Sequence, residues 1–284
     1  SMKRVAIVYR IHTDKAVASA KSLSIWLKKR SIEVFTAPDQ KKIPGTVLMK
    51  STREFKKIDL VLVIGGDGTY LRAVRILQGQ AIPIIGFNMG TLGFLTSFSS
   101  EPMSQVQKIT ADALEGKIAF FHRSMIGIDV FKGKKKLKSF SALNDLVIER
   151  GGNSQLINCV ISSDDLAISS IKADGFIVAT PTGSTAYNLA AGGPLLHPES
   201  TVFVVTPVAP HSLTSRPLII PDHKKLSFRI VSDIVKAHLI VDGQKEMEIN
   251  SQHEVVMTRS QHTHLMAKSS VDHFFHLLRE KLKY

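Results

Sequence analysis

Residues 58–71 read IDLVLVIGGDGTYL: Ile58, Leu60, Val61, Leu62, Val63 and Ile64 form a nearly unbroken apolar run that ends in Gly65-Gly66-Asp67-Gly68-Thr69. Such a run fits a strand covered on both faces, as in a parallel sheet. Leu71, Val74 and Leu77 then recur at helical spacing. The glycines between strand and helix let the backbone approach a phosphate closely, and the amides that open a helix favour negative charge. A carboxylate in such a turn repels phosphate unless a cation intervenes or the acid takes up a proton. Asp67 is therefore a base, a metal partner or both.

Working outward, the first 117 or so residues alternate strand and helix. Residues 5–8 and 32–35 read as strands, and Ala16, Ala20, Leu23 and Leu27 mark one helical face between them. A further strand covers 82–86 and a helix runs near 102–114. Repeated strand-helix-strand units predict a parallel sheet with helices on both faces. From His122 the pattern changes to short β-branched runs at 124–131, 138–148, 156–162, 166–171, 175–180, 201–206, 226–231, 237–241 and 254–258. Turn residues separate them, which predicts a sandwich or related double sheet. Val271, Phe275, Leu278 and Leu282 return to helical spacing. The expected plan is an α/β domain over 1–117, a β-sandwich over 118–270 and a helix over 271–284 that packs back on the first domain.

The 284 residues carry a formal charge of +13, and the densest basic cluster is KGKKKLK at 132–138, between two strand-like segments. That cluster reads as a solvated hairpin tip, with no recognition helix or aromatic-rich strand beside it to suggest nucleic acid. A positive chain suits small polyanions such as nucleotides equally well. No stretch is apolar enough to span a membrane, none reads as a signal peptide, and Ser1 before Met2 reads as an appended residue. The one cysteine, Cys159, lies in a strand-like run without an adjacent histidine; it reads as a small core residue and suits a cytoplasmic location. His262 with His264, or His273 with His276, could each supply two metal ligands, but no third ligand falls at zinc-site spacing.

Four further segments place polar groups beside apolar strands. GFNMGTLGF at 86–94 follows the fourth strand and so shares a sheet edge with Asp67, where open α/β sheets bind ligands. Asn144-Asp145 sets an amide and a carboxylate side by side inside the run SALNDLVIER. Asp174-Gly175 precedes FIVAT, which leads into PTGSTAYN at 181–188, a crowd of hydroxyls, an aromatic and an amide suited to a nucleotide-sized polar ligand. Asp242-Gly243 reads as a plain turn that offers Gln244 as an amide. There is no Walker P-loop, no GxGxxG after the first strand, no GxSxG elbow and no HExxH helix.

GGDGT before a helix, NMGTLGFL, the Asn-Asp of ALNDLVIER, ADGFIVATPTGSTAYNLAAGGP and HSLTSRPL together resemble the bacterial NAD kinases, in the right order over nearly the whole chain. The resemblance implies an N-terminal Rossmann-like α/β domain and a C-terminal β-sandwich domain with NAD in the cleft between them. It implies that ATP, with Mg²⁺, phosphorylates the 2′-hydroxyl of the adenosine ribose. Carried over by motif, Asp67 would take the hydroxyl proton, and Gly66, Gly68 and Thr69 would face phosphates. Asn144 and Asp145 would hold the ribose hydroxyls, Asp174 and Tyr187 the nicotinamide end, and Thr185 and Ala186 the adenine region. Leu92 and Phe94 would form an apolar wall for the adenine, and Gln244 would line the pocket. The same mapping puts Arg72, Asn88, Lys172, Thr182, Ser184, Asn188, Ala190 and Ala209 among the nucleotide contacts. Lys172 stands where many relatives carry arginine, and a cation there resembles the variety preferring ATP and NAD over polyphosphate and NADH. The resemblance also implies a homodimer or homotetramer whose pocket a neighbouring subunit completes. Two rivals are a lipid kinase of the diacylglycerol type, which shares GGDGT, and a non-catalytic NAD sensor.

Overall fold

The computed structural model describes residues 3–152, 155–231, 236–267 and 273–283. The chain forms two compact units, one running to His122 and resuming at His264, the other spanning Arg123–Thr263.

In the first unit the chain runs β1 (Arg4–Tyr9), α1 (Asp14–Lys29), β2 (Glu33–Thr36), β3 (Val47–Leu48), β4 (Leu60–Gly65), α2 (Asp67–Leu77), β5 (Ile84–Asn88), β6 (Phe98–Ser99) and α3 (Met103–Leu114). The strands are parallel in the order β3-β2-β1-β4-β5-β6. Successive connections lead outward from β1 to β3, then cross to β4 on the other side of β1. The order therefore reverses between β1 and β4, and open α/β sheets bind ligands at the carboxyl ends of such a pair.

Val5, Ile7, Leu60, Leu62, Ile85 and Phe87 share a core with Ala16, Ala20, Leu23 and Leu27 of α1 and Val106, Ile109 and Ala113 of α3. Full burial of a leucine such as Leu23 or Leu27 contributes about 1.5–3 kcal/mol. The alternate strand residues Ala6, Val8, Val61 and Val63 are equally enclosed, and α2 packs against β1, β4 and β5. Both faces are covered, which is why β4 reads as a continuous apolar run.

The chain continues as β7 (Phe120–Lys132), β8 (Lys135–Ala142), β9 (Asp145–Arg150), β10 (Ile157–Ser163), β11 (Leu166–Ala173), β12 (Gly175–Ala179), α4 (Tyr187–Ala190), β13 (Val202–Val208), β14 (Leu218–Pro221), β15 (Leu226–Ile230), β16 (Ala237–Val241), β17 (Gln244–Ile249) and β18 (His253–Ala267). In the second unit one sheet runs β11-β10-β15-β18 with β7 on β18 and β8 on β7; the other runs β14-β13-β12-β9-β16-β17. Their inner faces share one core, to which Ile126, Ile128, Cys159 and Phe228 come from the first sheet and Leu146, Ile148, Phe176 and Phe203 from the second. The basic cluster is the β7–β8 hairpin tip, where Gly133 takes a left-handed φ of 60°.

Three expectations differ. Residues 138–148 do not form one strand, because the chain breaks at Leu143 and Asn144 between β8 and β9. β18 reaches Ala267 instead of stopping near 258; its polar stretch, RSQHTH, hides the alternation that pairing sustains. The last helix, α5, is described from His273 to Leu282, and Val271 lies outside the described residues.

Candidate functional site

β4 ends at Gly65, and Gly66 in extended backbone opens α2 at Asp67. A Cβ on Gly65 would meet the Thr69 side chain, while the corresponding position on Gly68 faces open space. The Asp67 carboxylate turns back onto residues 94–96. Its Oδ2 accepts the Phe94 N–H at 3.0 Å. Its Oδ1 accepts the Leu95 and Thr96 N–H groups at 3.2 and 3.0 Å and the Thr96 hydroxyl at 2.7 Å. Asn88 joins the same knot, donating from Nδ2 to the Thr96 hydroxyl oxygen at 2.6 Å and accepting the Gly90 N–H at 2.7 Å. A side chain on Gly93 would strike the Asp67 carboxylate, so the close approach requires glycine there.

With three donors on Oδ1 and one on Oδ2, Asp67 is rigid and keeps accepting capacity on Oδ2. That is the equipment of a positioned proton acceptor. Leu92 and Phe94 are partly exposed, and the Phe94 ring lies 6.5 Å from that of Phe274 and 5.8 Å from the Lys281 ammonium, both on α5.

Arg72 is not free. Its guanidinium donates to the Tyr9 carbonyl at 2.5 Å and to Gln40 Oε1 at 3.0 Å, and burial lowers its pKa from the usual value. It braces the end of β1. Tyr70, fully enclosed, shares a 2.5 Å hydrogen bond with Nε2 of buried His264, whereas His262 is exposed. The two histidines do not converge, and the described residues contain no group of three or more His, Cys, Asp or Glu able to hold a metal.

In the second unit the site begins at the β8–β9 break. Asp242, at φ 47° before Gly243 at φ 81°, forms the tight β16–β17 turn. Its carboxylate accepts the N–H groups of Leu143 at 2.8 Å, Asn144 at 2.7 Å and Asp145 at 3.1 Å. The plain turn expected from Asp242-Gly243 is thus also a cap that shapes the break, and nothing local in the sequence signals it. Thr180 completes the frame: its hydroxyl donates to the Leu143 carbonyl at 2.5 Å and accepts the Gly183 N–H at 3.0 Å.

Two side chains are left exceptional. Asn144 Oδ1 is buried without a hydrogen-bond partner among the described residues. The Asp145 carboxyl, 5% exposed, has its pKa raised to about 7, first by burial and then by the like charge of Asp242. Tyr187 is raised from its usual value by burial, then by Glu149, Asp174 and Asp145, so its phenol shares their neighbourhood. Asp174 itself pairs with Arg150 at 3.1 Å.

Ser184 and Asn188, expected among the contacts, are completely enclosed. The Ser184 hydroxyl donates to the Pro181 carbonyl at 2.7 Å and accepts the Leu196 N–H at 3.0 Å. Asn188 donates to the Ser184 and Pro194 carbonyls at 3.1 and 3.0 Å and accepts the Thr206 hydroxyl at 2.6 Å. Both hold the 181–196 segment together. Thr182, Thr185 and Ala186 keep partial exposure, while Tyr187, Ala190, Ala209 and Gln244 are exposed. Lys172 is exposed beside a cavity of about 610 Å³ that His211 and Arg216 also line.

An open parallel sheet with a glycine turn and a fixed carboxylate at its switch point is what a phosphotransferase acting on nucleotides needs. The ATP-NAD kinase N-terminal domain matches residues 5–118, and the ATP-NAD kinase C-terminal domain matches residues 143–269. The chain belongs to the ATP-NAD kinase family, and its activity is that of an ATP-dependent NAD kinase. It is 54% identical over 280 residues to the NAD kinase of Bdellovibrio bacteriovorus, covering 99% of this chain and 91% of that one. With the NAD kinase of Syntrophotalea carbinolica it shares 34% identity over 295 residues, covering 99% and 98%. An Archaeoglobus fulgidus NAD kinase solved in complex with ATP superposes with TM-score 0.77 at 26% identity, covering 97% of each chain. Yeast NADH kinase complexed with NADH shares the fold, with TM-score 0.90 at 24% identity over 100% of this chain and 88% of that one. Neither the lipid-kinase nor the sensor reading finds support among these relatives.

Proposed function

We propose that Asp67 is the base that takes the proton of the adenosine-ribose 2′-hydroxyl of NAD as the γ-phosphoryl group of ATP is transferred to it. The observation that carries this is the clamping of Asp67 by four donors, which leaves Oδ2 able to accept one more proton-bearing group. A ribose hydroxyl is a weak nucleophile at neutral pH, and a positioned base contributes roughly 10²–10⁴-fold. Gly66, Gly68 and Thr69 would offer backbone amides to the phosphates of ATP.

In the second unit, Asn144 Oδ1 lacks a donor, and a ribose hydroxyl would supply it. Asp145 would take the adjacent hydroxyl, and Asp174 and Tyr187 the nicotinamide end. Thr182, Thr185, Ala186, Ala190, Ala209 and Gln244 would complete the surround, with Ser184 and Asn188 acting through the segment they hold. Mg²⁺ would be bound mainly through the phosphates of ATP, with Asp67 as its one candidate side chain. When bound, the ion neutralises phosphate charge.

Lys172 supports a preference for NAD and ATP over NADH and polyphosphate; equal initial rates within each pair would reject it. Exposed Leu166, Ile168, Leu218 and Ile219 on the edge strands β11 and β14 support a homodimer or homotetramer, which light scattering would test. A single buried cysteine supports a cytoplasmic enzyme, and among the described residues no helix is long and apolar enough to cross a membrane. The decisive assay is purified protein with ATP, Mg²⁺ and NAD, followed by an NADP-specific coupled reaction. ADP release that depends on a lipid, or absence of NADP, would sink the proposal.

A further inference from the structure

The turn proposed to take the donor phosphates has a second wall, the carboxyl end of β1. Tyr9 of β1 pairs with Ile64 of β4, and the next residue, Arg10, keeps that register by donating its N–H to the Ile64 carbonyl at 2.8 Å. Arg10 is thereby set directly across the switch point from Gly65 and Gly66. Its side chain leans over the turn, with one guanidinium nitrogen 2.9 Å from where a Cβ on Gly66 would sit. Glycine at position 66 is what lets an arginine lie there without displacement.

The state of this arginine sets it apart. Arg10 is exposed and has no ion pair or side-chain hydrogen bond among the described residues. The carboxylate that opens α2, Asp67, is engaged by residues 94–96. Arg72 is committed to the Tyr9 carbonyl and Gln40. An uncommitted guanidinium over a glycine turn, beside the amides that open α2, offers planar donors of the geometry that phosphate oxygens accept bidentately.

We propose that Arg10 grips the phosphate chain of the donor nucleotide over the glycine turn and neutralises charge on it during transfer. This deepens the reading that residues 65–69 take the ATP phosphates, and it assigns a role to a residue outside the GGDGT run. Asp67 repels a polyphosphate; Arg10 offsets that repulsion from the opposite wall. The expected cost of losing the contact is about ten- to hundredfold in affinity for ATP, the range of a charge-assisted hydrogen bond.

The test compares wild type, Arg10→Gln, Arg10→Lys and Gly68→Glu. Binding of MgATP and of adenosine is measured by calorimetry without NAD, and steady-state KM is measured for ATP and NAD. Arg10 is exposed and Gly68 faces open space, so all variants should retain the wild-type melting profile. Arg10→Gln should lose about ten- to hundredfold in MgATP affinity while adenosine binding and the KM for NAD stay within about twofold, and Arg10→Lys should fall between. Gly68→Glu puts a negative charge into the turn and should weaken MgATP whatever Arg10 does. If Gly68→Glu weakens MgATP and Arg10→Gln does not, the role of Arg10 is overturned and the phosphate-binding turn stands. If neither variant affects MgATP, both fall. Equal losses of ATP and adenosine binding in Arg10→Gln would also overturn a phosphate contact.

Discussion

Replacing Asp145 with asparagine should make the protein more stable at pH 8 while leaving it nearly unchanged at pH 4. Asp145 is 5% exposed beside Asp242, and its pKa rises from 3.8 to about 7, chiefly through burial. The folded state therefore holds a proton that the unfolded chain releases between those values. Stability from this group is complete below about pH 4 and is lost as pH rises towards 7. At about 1.4 kcal/mol per tenfold change in proton affinity, the span amounts to roughly 4 kcal/mol as an upper bound. Local relaxation reduces this, and we expect roughly 1–3 kcal/mol. Asparagine carries no charge to bury, so Asp145→Asn should lack the decline. The assay is urea unfolding at several pH values between 4 and 8, followed by far-UV circular dichroism. The only tryptophan, Trp26, lies on α1 in the first unit, so its fluorescence would miss the transition that matters. Wild type and variant losing stability in parallel between pH 4 and 8 would refute the argument.

Three further outcomes are expected. Asp67→Asn should lower turnover at least about 10²-fold, and because its amide would face N–H donors at residues 94–96, NAD binding should be measured beside kcat; near-normal turnover would discard the base. Asn188→Ala leaves the Ser184 and Pro194 carbonyls and the Thr206 hydroxyl without partners in the interior and should cost about 2–4 kcal/mol in chemical unfolding. A cost below about 0.5 kcal/mol, the size of an ordinary surface change, would mean that Asn188 does not hold the segment. Gly183→Ala drives a methyl group into the backbone of Asn144 and should raise the KM for NAD far more than the KM for ATP; equal changes would dissociate residues 143–145 from the dinucleotide.

The architecture was legible because its signals are periodic. Burial on both faces shows in β4 as an apolar run, and Ala16, Ala20, Leu23 and Leu27 all turn inward from α1 as their spacing requires. Two-residue strands such as β3 and β6 carry no period and are not legible in the sequence. The break at Leu143 and Asn144 could not be read locally, since it depends on a carboxylate almost a hundred positions later. The polar crowd at 181–188 was legible as special and ambiguous as to why. Hydroxyls and amides that bind a ligand look the same in one dimension as those that bind their own backbone. Ser184 and Asn188 proved to be of the second kind. Arg10 carries no signal of its own for the opposite reason: one cation after a strand is ordinary until the fold sets it over a glycine.

Asp67 and Asp145, the two acids assigned to the proposed chemistry, differ through where the backbone amides were spent. Asp67 receives three N–H donors and a hydroxyl, which fix the orientation of its carboxylate. At the second position the amides of residues 143–145 go to Asp242 instead, including that of Asp145 itself. Asp145 is left with burial and a neighbouring negative charge, and both favour the proton. Had the donors gone to Asp145, its carboxylate would be satisfied before any hydroxyl arrived, and of the two neighbours the Asn144 oxygen alone would still need a partner. Spending them on Asp242 gives a pair of waiting groups, an amide oxygen and an acid near neutrality, in a frame that does not depend on the ligand to stay open. Separating acids by environment in this way is how a protein assigns different roles to one side-chain type. Here the device is a hairpin turn placed to collect the amides of another strand.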